Sequence, residues 1–151
     1  SSDGEKYSPE GIEEAMVQLA PSIDQVMLYN NQSNYTTALI VPNKDYLKRT
    51  LAEKKLALNS EEGRIEALKL INADIAMFTK GGAHETMFPH RWLPTCFAVL
   101  AEPFTEQNQM INSTMKMVRG KIKKAYADRI EYMYTPEGTQ LLNPRNIEAL
   151  A

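Results

Sequence analysis

Two short runs rich in β-branched, aliphatic and aromatic residues, DQVMLY (24–29) and YTTALIV (35–41), flank the polar connection NNQSN. Side chains of this kind fit a pleated, half-buried surface, and Asn-rich polar stretches turn the chain back on itself. The pair reads as two adjacent strands, with a hairpin as one way to join them. The chain is thereby committed to a sheet early, and the segments around it must supply the cover.

Those segments are helical in pattern. Ser8-Pro9-Glu10 is a helix start: a hydroxyl at the N-cap, proline at the first helical position and a carboxylate in the positive first turn. Ile12, Ala15, Met16 and Leu19 recur at helical spacing, and Pro21 marks the stop. Pro42-Asn43 ends the second strand, and Tyr46, Leu47, Thr50 and Leu51 begin another helix. Ser60-Glu61-Glu62 caps a third, with Ile65, Leu68, Ile71, Ile75 and Phe78 as its apolar stripe. Lys80-Gly81-Gly82 is expected to close it, a cation followed by glycine. The loop AHETMFPH leads to WLPTCFAVLA, a third strand candidate. A last, basic helix is expected at 117–133, with Ile122, Ala125, Tyr126 and Ile130 on its inner side. The tail TPEGTQLLNPRN reads as loop, ending in at most a short helical turn. Helix, two strands, two helices, strand, helix is a small α+β layout.

With 151 residues the chain fits one domain, and 43% apolar against 24% charged residues is ordinary for a globular protein. No run approaches the roughly 20 apolar residues that a bilayer demands, so no transmembrane segment is expected. The polar N-terminus SSDGEKYSPEG does not resemble a signal peptide. A net charge of -2 argues against nucleic acid as a partner. Cys96 is the single cysteine and lies in the apolar run TCFAVLA, which points to a buried, inert thiol and a reducing, cytoplasmic setting.

Few groups carry recognisable chemistry. His84 and His90 stand in one loop near Glu85, a spacing too loose for a metal site, and no metal ligand is assigned. Neither a GxSxG elbow nor a GxxxxGK[ST] phosphate loop occurs. The concentrated feature is MINSTMKMVRGKIKK (110–124), which holds Lys116, Arg119, Lys121, Lys123 and Lys124. Arg119, Lys123 and Lys124 read as a solvated helix face. A second reading makes the basic helix 117–133 the polyanion strip of a stand-alone α+β binding module. Lys116 differs because it precedes the helix, on a loop after Asn112-Ser113-Thr114.

The stretch EPFTEQNQMINSTMKMVRGKI (102–122) resembles the closing motif of long-chain acyl-CoA synthetases, in the superfamily of adenylate-forming, AMP-binding ligases. SDGEKYSPEGIEEA (2–15) is similar to the family's hinge-adjacent motif, and DQVMLYNNQSNYTTALIVPN (24–43) to its pair of strands. The resemblance implies that 1–151 is the single C-terminal lid domain, α+β with a small mixed three-stranded sheet packed against several helices. The helical stretch 45–80 would be a subfamily insertion, and the large N-terminal AMP-binding domain is absent from this chain.

The implied activity is that of an ATP-dependent long-chain fatty acid–CoA ligase, with the isolated domain inactive alone. Lys116 matches the family's catalytic lysine, because it follows Thr114-Met115 and precedes Arg119 by a few positions. Lys121, which follows Gly120, is the runner-up. Gly4, Glu5 and Lys6 match the glycine loop that meets the pantetheine arm of CoA. ATP, fatty acid and CoA would be substrates, with Mg2+ in the full-length enzyme and nothing bound tightly by this domain alone. The implied partner is the chain's own N-terminal adenylation domain. The setting would be cytoplasmic, with peripheral attachment to a membrane left open for the full-length enzyme.

Overall fold

The computed structural model describes residues 8–79 and 81–151. Gly4, Glu5 and Lys6, matched above to the glycine loop, lie outside the described residues, as does Lys80. The elements run α1 (Pro9–Leu19), β1 (Ile23–Tyr29), β2 (Thr36–Pro42), α2 (Lys44–Glu53), α3 (Glu61–Ala76), a 3-10 turn (His90–Trp92), β3 (Pro94–Val99), α4 (Arg119–Ala125), α5 (Ala127–Tyr132) and α6 (Pro144–Ala149). The strands form one mixed sheet in the order β1-β2-β3. β1 and β2 are antiparallel, with Leu28 opposite Ala38, and β2 and β3 are parallel, with Ala38 opposite Phe97.

Side chains alternate across a sheet, and two apolar clusters follow from that alternation. On one face Val26, Leu28, Ala38, Ile40, Phe97 and Val99 pack against Ile12 and Met16 of α1, Leu47 and Leu51 of α2, and Leu68, Ile71 and Phe78. On the other, Met27, Leu39, Val41, Cys96 and Ala98 meet Phe104, Ile111, Ile122, Ile130 and Met133. β2 lies in the middle with every residue buried, which is why it reads as a continuous apolar run.

Both sheet edges are closed by buried polar side chains rather than left open for pairing. Glu13 Oε2 accepts the outward Leu28 N–H of β1 at 2.7 Å. At the other edge Asn146 accepts Val99 N–H at 2.9 Å and donates to the Phe97 carbonyl at 3.1 Å, which fastens α6 to β3. Arg129 adds a 3.1 Å hydrogen bond to the same Asn146.

Several boundaries differ from expectation. Ser8 precedes α1 in extended conformation but makes no capping bond, so Pro9 at the first helical position sets that start. Asn43, expected only to end a strand, caps α2 by accepting Tyr46 N–H. Ser60 caps α3 as expected, through Gly63 N–H. α3 ends at Ala76, before the glycines. Gly82 serves the return that follows: an added Cβ there would stand 2.4 Å from the carbonyl oxygens of Ala76 and Met77. Trp92 belongs to the 3-10 turn, not to the third strand. The expected helix 117–133 is two helices broken at Tyr126, whose φ of -113° and ψ of 25° leave the helical region. Ile122 and Ile130 both reach the second cluster, while Ala125, expected inside, is exposed.

Candidate functional site

The phrase Glu102-Pro103-Phe104-Thr105 is anchored to the sheet before it becomes a loop. Gln25 of β1 clasps Phe104 at both ends of its amide: Phe104 N–H donates to Gln25 Oε1 at 2.8 Å, and Gln25 Nε2 to the Phe104 carbonyl at 3.0 Å. Thr105 and Asn108 then cap each other, with Thr105 N–H donating to Asn108 Oδ1 at 2.9 Å and Asn108 N–H to Thr105 Oγ1 at 3.0 Å. Met110 and Ile111 N–H return to the Thr105 carbonyl, at 3.1 and 3.2 Å.

From this base rises a short hairpin. Ile111 and Met117 bridge across it, and Val118 N–H donates to the Met110 carbonyl at 2.8 Å. Residues 112–116 form its exposed tip. Asn112 organises that tip, its side-chain oxygen accepting Thr114 N–H and Lys116 N–H. Lys116 stands on the tip beside a cleft of about 460 Å³ that also meets Glu10, Glu14, Asp24 and Met115. Burial, with Asp45 close by, pushes the Asp24 carboxyl above the ordinary carboxylate range. Among the described residues the Lys116 ammonium makes no ion pair or side-chain hydrogen bond.

The other cations of the segment are employed differently. Arg119 was expected to face solvent. Instead its guanidinium forms a two-point ion pair with Glu13, one bond of 3.0 Å to Oε2 and a second to Oε1. The pair is buried on the Glu13 side and 29% exposed on the Arg119 side. Burial pushes the Glu13 carboxyl above its ordinary range, against the opposing pull of Arg119 and of Leu28 N–H. Lys121 Nζ donates to the Gln109 side chain and does not line the Lys116 cleft. Lys123 and Lys124 are exposed, as expected of a solvated face. Arg119 is thus neutralised by Glu13, which takes one cation out of the strip required by the polyanion reading.

Cys96 is buried, and burial pushes its thiol up to about 11. The thiol therefore stays protonated and inert at neutral pH. His84 packs on Phe78 with ring centroids 5.3 Å apart. Among the described residues no group of three His, Cys, Asp or Glu side chains could hold a metal ion, and no helix is long and apolar enough to cross a membrane.

Asn112 and Glu13 escaped the sequence reading. Asn112 carried a usable signal, since Asn-Ser-Thr is the composition of a side-chain-capped turn. Glu13 carried only a faint one, a carboxylate on the flank of the α1 apolar stripe.

No family model matches the chain. It is 27% identical over 123 residues to carboxylic acid reductase from Mycobacterium tuberculosis, an alignment covering 81% of this chain and 9% of that protein. It is 26% identical over 134 residues to long chain acyl-CoA synthetase 8 from Arabidopsis thaliana, covering 85% of this chain and 18% of the relative. The solved A-PCP didomain of carboxylic acid reductase from Segniliparus rugosus, in complex with AMP, superposes with a TM-score of 0.61 at 24% identity, over 88% of this chain and 16% of that one. The chain spans less than a fifth of the length of each of these relatives. The homologues and structural neighbours of this chain are adenylate-forming enzymes, and its α+β fold matches a part of their adenylation domains.

Proposed function

We propose that this chain is the mobile C-terminal domain of an ATP-dependent long-chain fatty acid–CoA ligase, and that Lys116 is the cation it delivers to the first half-reaction. The observation that carries this reading is the contrast between Lys116 and its neighbours. Arg119 is ion-paired with Glu13 and Lys121 is hydrogen-bonded to the Gln109 side chain, whereas Lys116 is presented on an exposed tip with its ammonium uncommitted among the described residues. The similarity to a long chain acyl-CoA synthetase over 85% of the chain supports the substrate class.

The chemistry asks for such a group. Joining a fatty-acid carboxylate to the α-phosphate of ATP brings two anions together, and a cation at the phosphoryl oxygens offsets the charge that accumulates there. Magnesium belongs with the nucleotide phosphates in the larger enzyme, where it would add to that neutralisation. Because Lys116 rides on a separate domain, rotation of that domain withdraws it after the adenylate forms. The same rotation would bring Gly4, Glu5 and Lys6, just before α1, to the pantetheine arm of CoA for thioester formation. Such motion is a gate between two chemical steps.

Lys116→Ala in the full-length protein carrying this chain is expected to slow fatty-acid-dependent ATP–pyrophosphate exchange on the order of 10²–10³-fold, the loss found for one preorganised donor. Thioester formation from supplied acyl-adenylate and CoA should be largely spared. Equal loss in both assays overturns the assignment. Loss confined to Lys121→Ala moves the role to that residue.

A further inference from the structure

The tip that carries Lys116 is cross-bonded far beyond what an exposed turn needs. Asn112 Oδ1 accepts three hydrogen bonds, from Thr114 N–H at 3.0 Å, Thr114 Oγ1 at 2.7 Å and Lys116 N–H at 3.1 Å. The Asn112 main chain completes the arrangement: its N–H donates to the Lys116 carbonyl at 2.9 Å, and its carbonyl accepts Met115 N–H at 2.9 Å. Both backbone polar groups of Lys116 therefore end on one residue.

Met115, between the two bonded positions, is held at a φ of 65°, a left-handed conformation that non-glycine residues avoid. Such a conformation persists only where the surroundings over-determine it. Stability of the core does not call for it, because residues 112–116 are all exposed and Met115 is 70% so. Below the tip the hairpin is fixed by the Ile111–Met117 bridge and by the Arg119–Glu13 ion pair. The backbone root of Lys116 is thus held by hydrogen bonds on a hairpin fastened to α1.

We infer that Asn112 is a positioning residue for Lys116, its side-chain oxygen fixing the backbone from which the ammonium is aimed at an anionic substrate. The inference rests on the reading of Lys116 given above. A long side chain reaches a reacting oxygen at the required distance only if its root is fixed, and a misplacement of about 1 Å can cost on the order of 100-fold in rate.

The test compares Asn112→Ala, Asn112→Asp and Asn112→Gln in the full-length protein, with ATP, fatty acid and CoA as probes. Asp keeps the acceptor oxygen in place, whereas Gln displaces it by one methylene. Asn112→Ala and Asn112→Gln should lower kcat of adenylate formation on the order of 10- to 100-fold, with KM for ATP and fatty acid and the thermal midpoint unchanged. Asn112→Asp should restore kcat to near the native value. If Asn112→Ala fails to fold, the contrast between Gln and Asp carries the test. A native kcat in Asn112→Ala, equal losses in the Gln and Asp variants, or a change in KM alone overturns the positioning role. Lys116→Ala in the same assay separates the two ideas. A native rate there removes the role of Lys116 itself, while a slow Lys116→Ala beside a native Asn112→Ala removes only that of Asn112.

Discussion

Arg119 shows how far a single residue can depart from its local pattern. Its neighbours Lys123 and Lys124 behave as a charge-rich helix predicts, but Arg119 reaches Glu13, 106 positions away in sequence. No local rule carries that information. Glu13 in turn closes the β1 edge through Leu28 N–H, so the pair ties α1, the sheet and the start of α4 together. Removing one partner of a buried pair leaves an uncompensated charge, and Arg119→Ala is expected to cost about 3 kcal/mol at pH 7. Glu13→Gln/Arg119→Gln, which leaves no buried charge, should cost less. The pH dependence follows from the direction of the Glu13 shift. Its folded-state pKa lies above the ordinary 4.5, so the folded protein holds this proton more tightly than the unfolded chain. That contribution is fully present below 4.5 and is lost as pH rises through the folded value. Without Arg119 the folded value climbs further. The penalty of Arg119→Ala should therefore shrink as pH falls from 7 toward 4.5, as read by urea unfolding at successive pH values. A penalty that stays constant with pH would show that Glu13 does not remain buried and charged in the variant.

At the scale of elements, most of the fold was legible. The three strands, α1 and the starts of α2 and α3 announce themselves through period, proline and capping residues, which are local properties. What stayed hidden depends on distant contacts. The break at Tyr126 has no glycine or proline to mark it, and Ile122 and Ile130, eight positions apart, keep the helical spacing of one apolar face across it. The end of α3 at Ala76 was obscured because Gly81-Gly82 looks like a stop but serves a close return. The site was legible in part: Lys116 stood out by its place before the helix, while the Asn112 network needed coordinates. Glycines test this distinction between local signal and contact. A Cβ at Gly63 would stand 1.8 Å from the Ala57 carbonyl oxygen, part of the backbone that leads into α3. Gly63→Ala must displace that backbone and is expected to cost at least about 2 kcal/mol, in the range of overpacking. At Gly11, in the first turn of α1, nothing lies within 4 Å, and Gly11→Ala should instead stabilise by about 0.4–1 kcal/mol by restricting the unfolded chain. Chemical denaturation of the two variants should move the midpoint in opposite directions.

For the whole molecule the consequential feature is the parallel pairing of β2 and β3. Parallel neighbours cannot be joined by a tight turn, and they need a crossover of a dozen or more residues. α2 and α3 lie within that crossover, and together with the turns that follow them they bring Leu47, Leu51, Leu58, Ala67, Leu68, Ile71, Ile75 and Phe78 into the core cluster on one sheet face. Asp74 of α3 further accepts both Ser22 N–H, at 3.1 Å, and Ser22 Oγ, at 2.6 Å, which pins the crossover to the turn before β1. Residues 45–79 are thus woven into the same core that sets the sheet from which the Lys116 hairpin projects. Gln25 and Phe104 complete the link, since β1 holds the base of the hairpin directly. Replacement of residues 44–79 by a flexible linker of about 15 residues, long enough for the crossover itself, is expected to abolish cooperative unfolding and to expose apolar surface that binds a hydrophobic dye. Leu68→Ala, at a fully buried position, should keep the cooperative transition while losing about 2–5 kcal/mol. A linker variant that still unfolds in one sharp transition, with native near-ultraviolet dichroism, would show that α1 and α6 alone suffice to cover this face. The hairpin would then be positioned by β1 and α1 without help from the crossover.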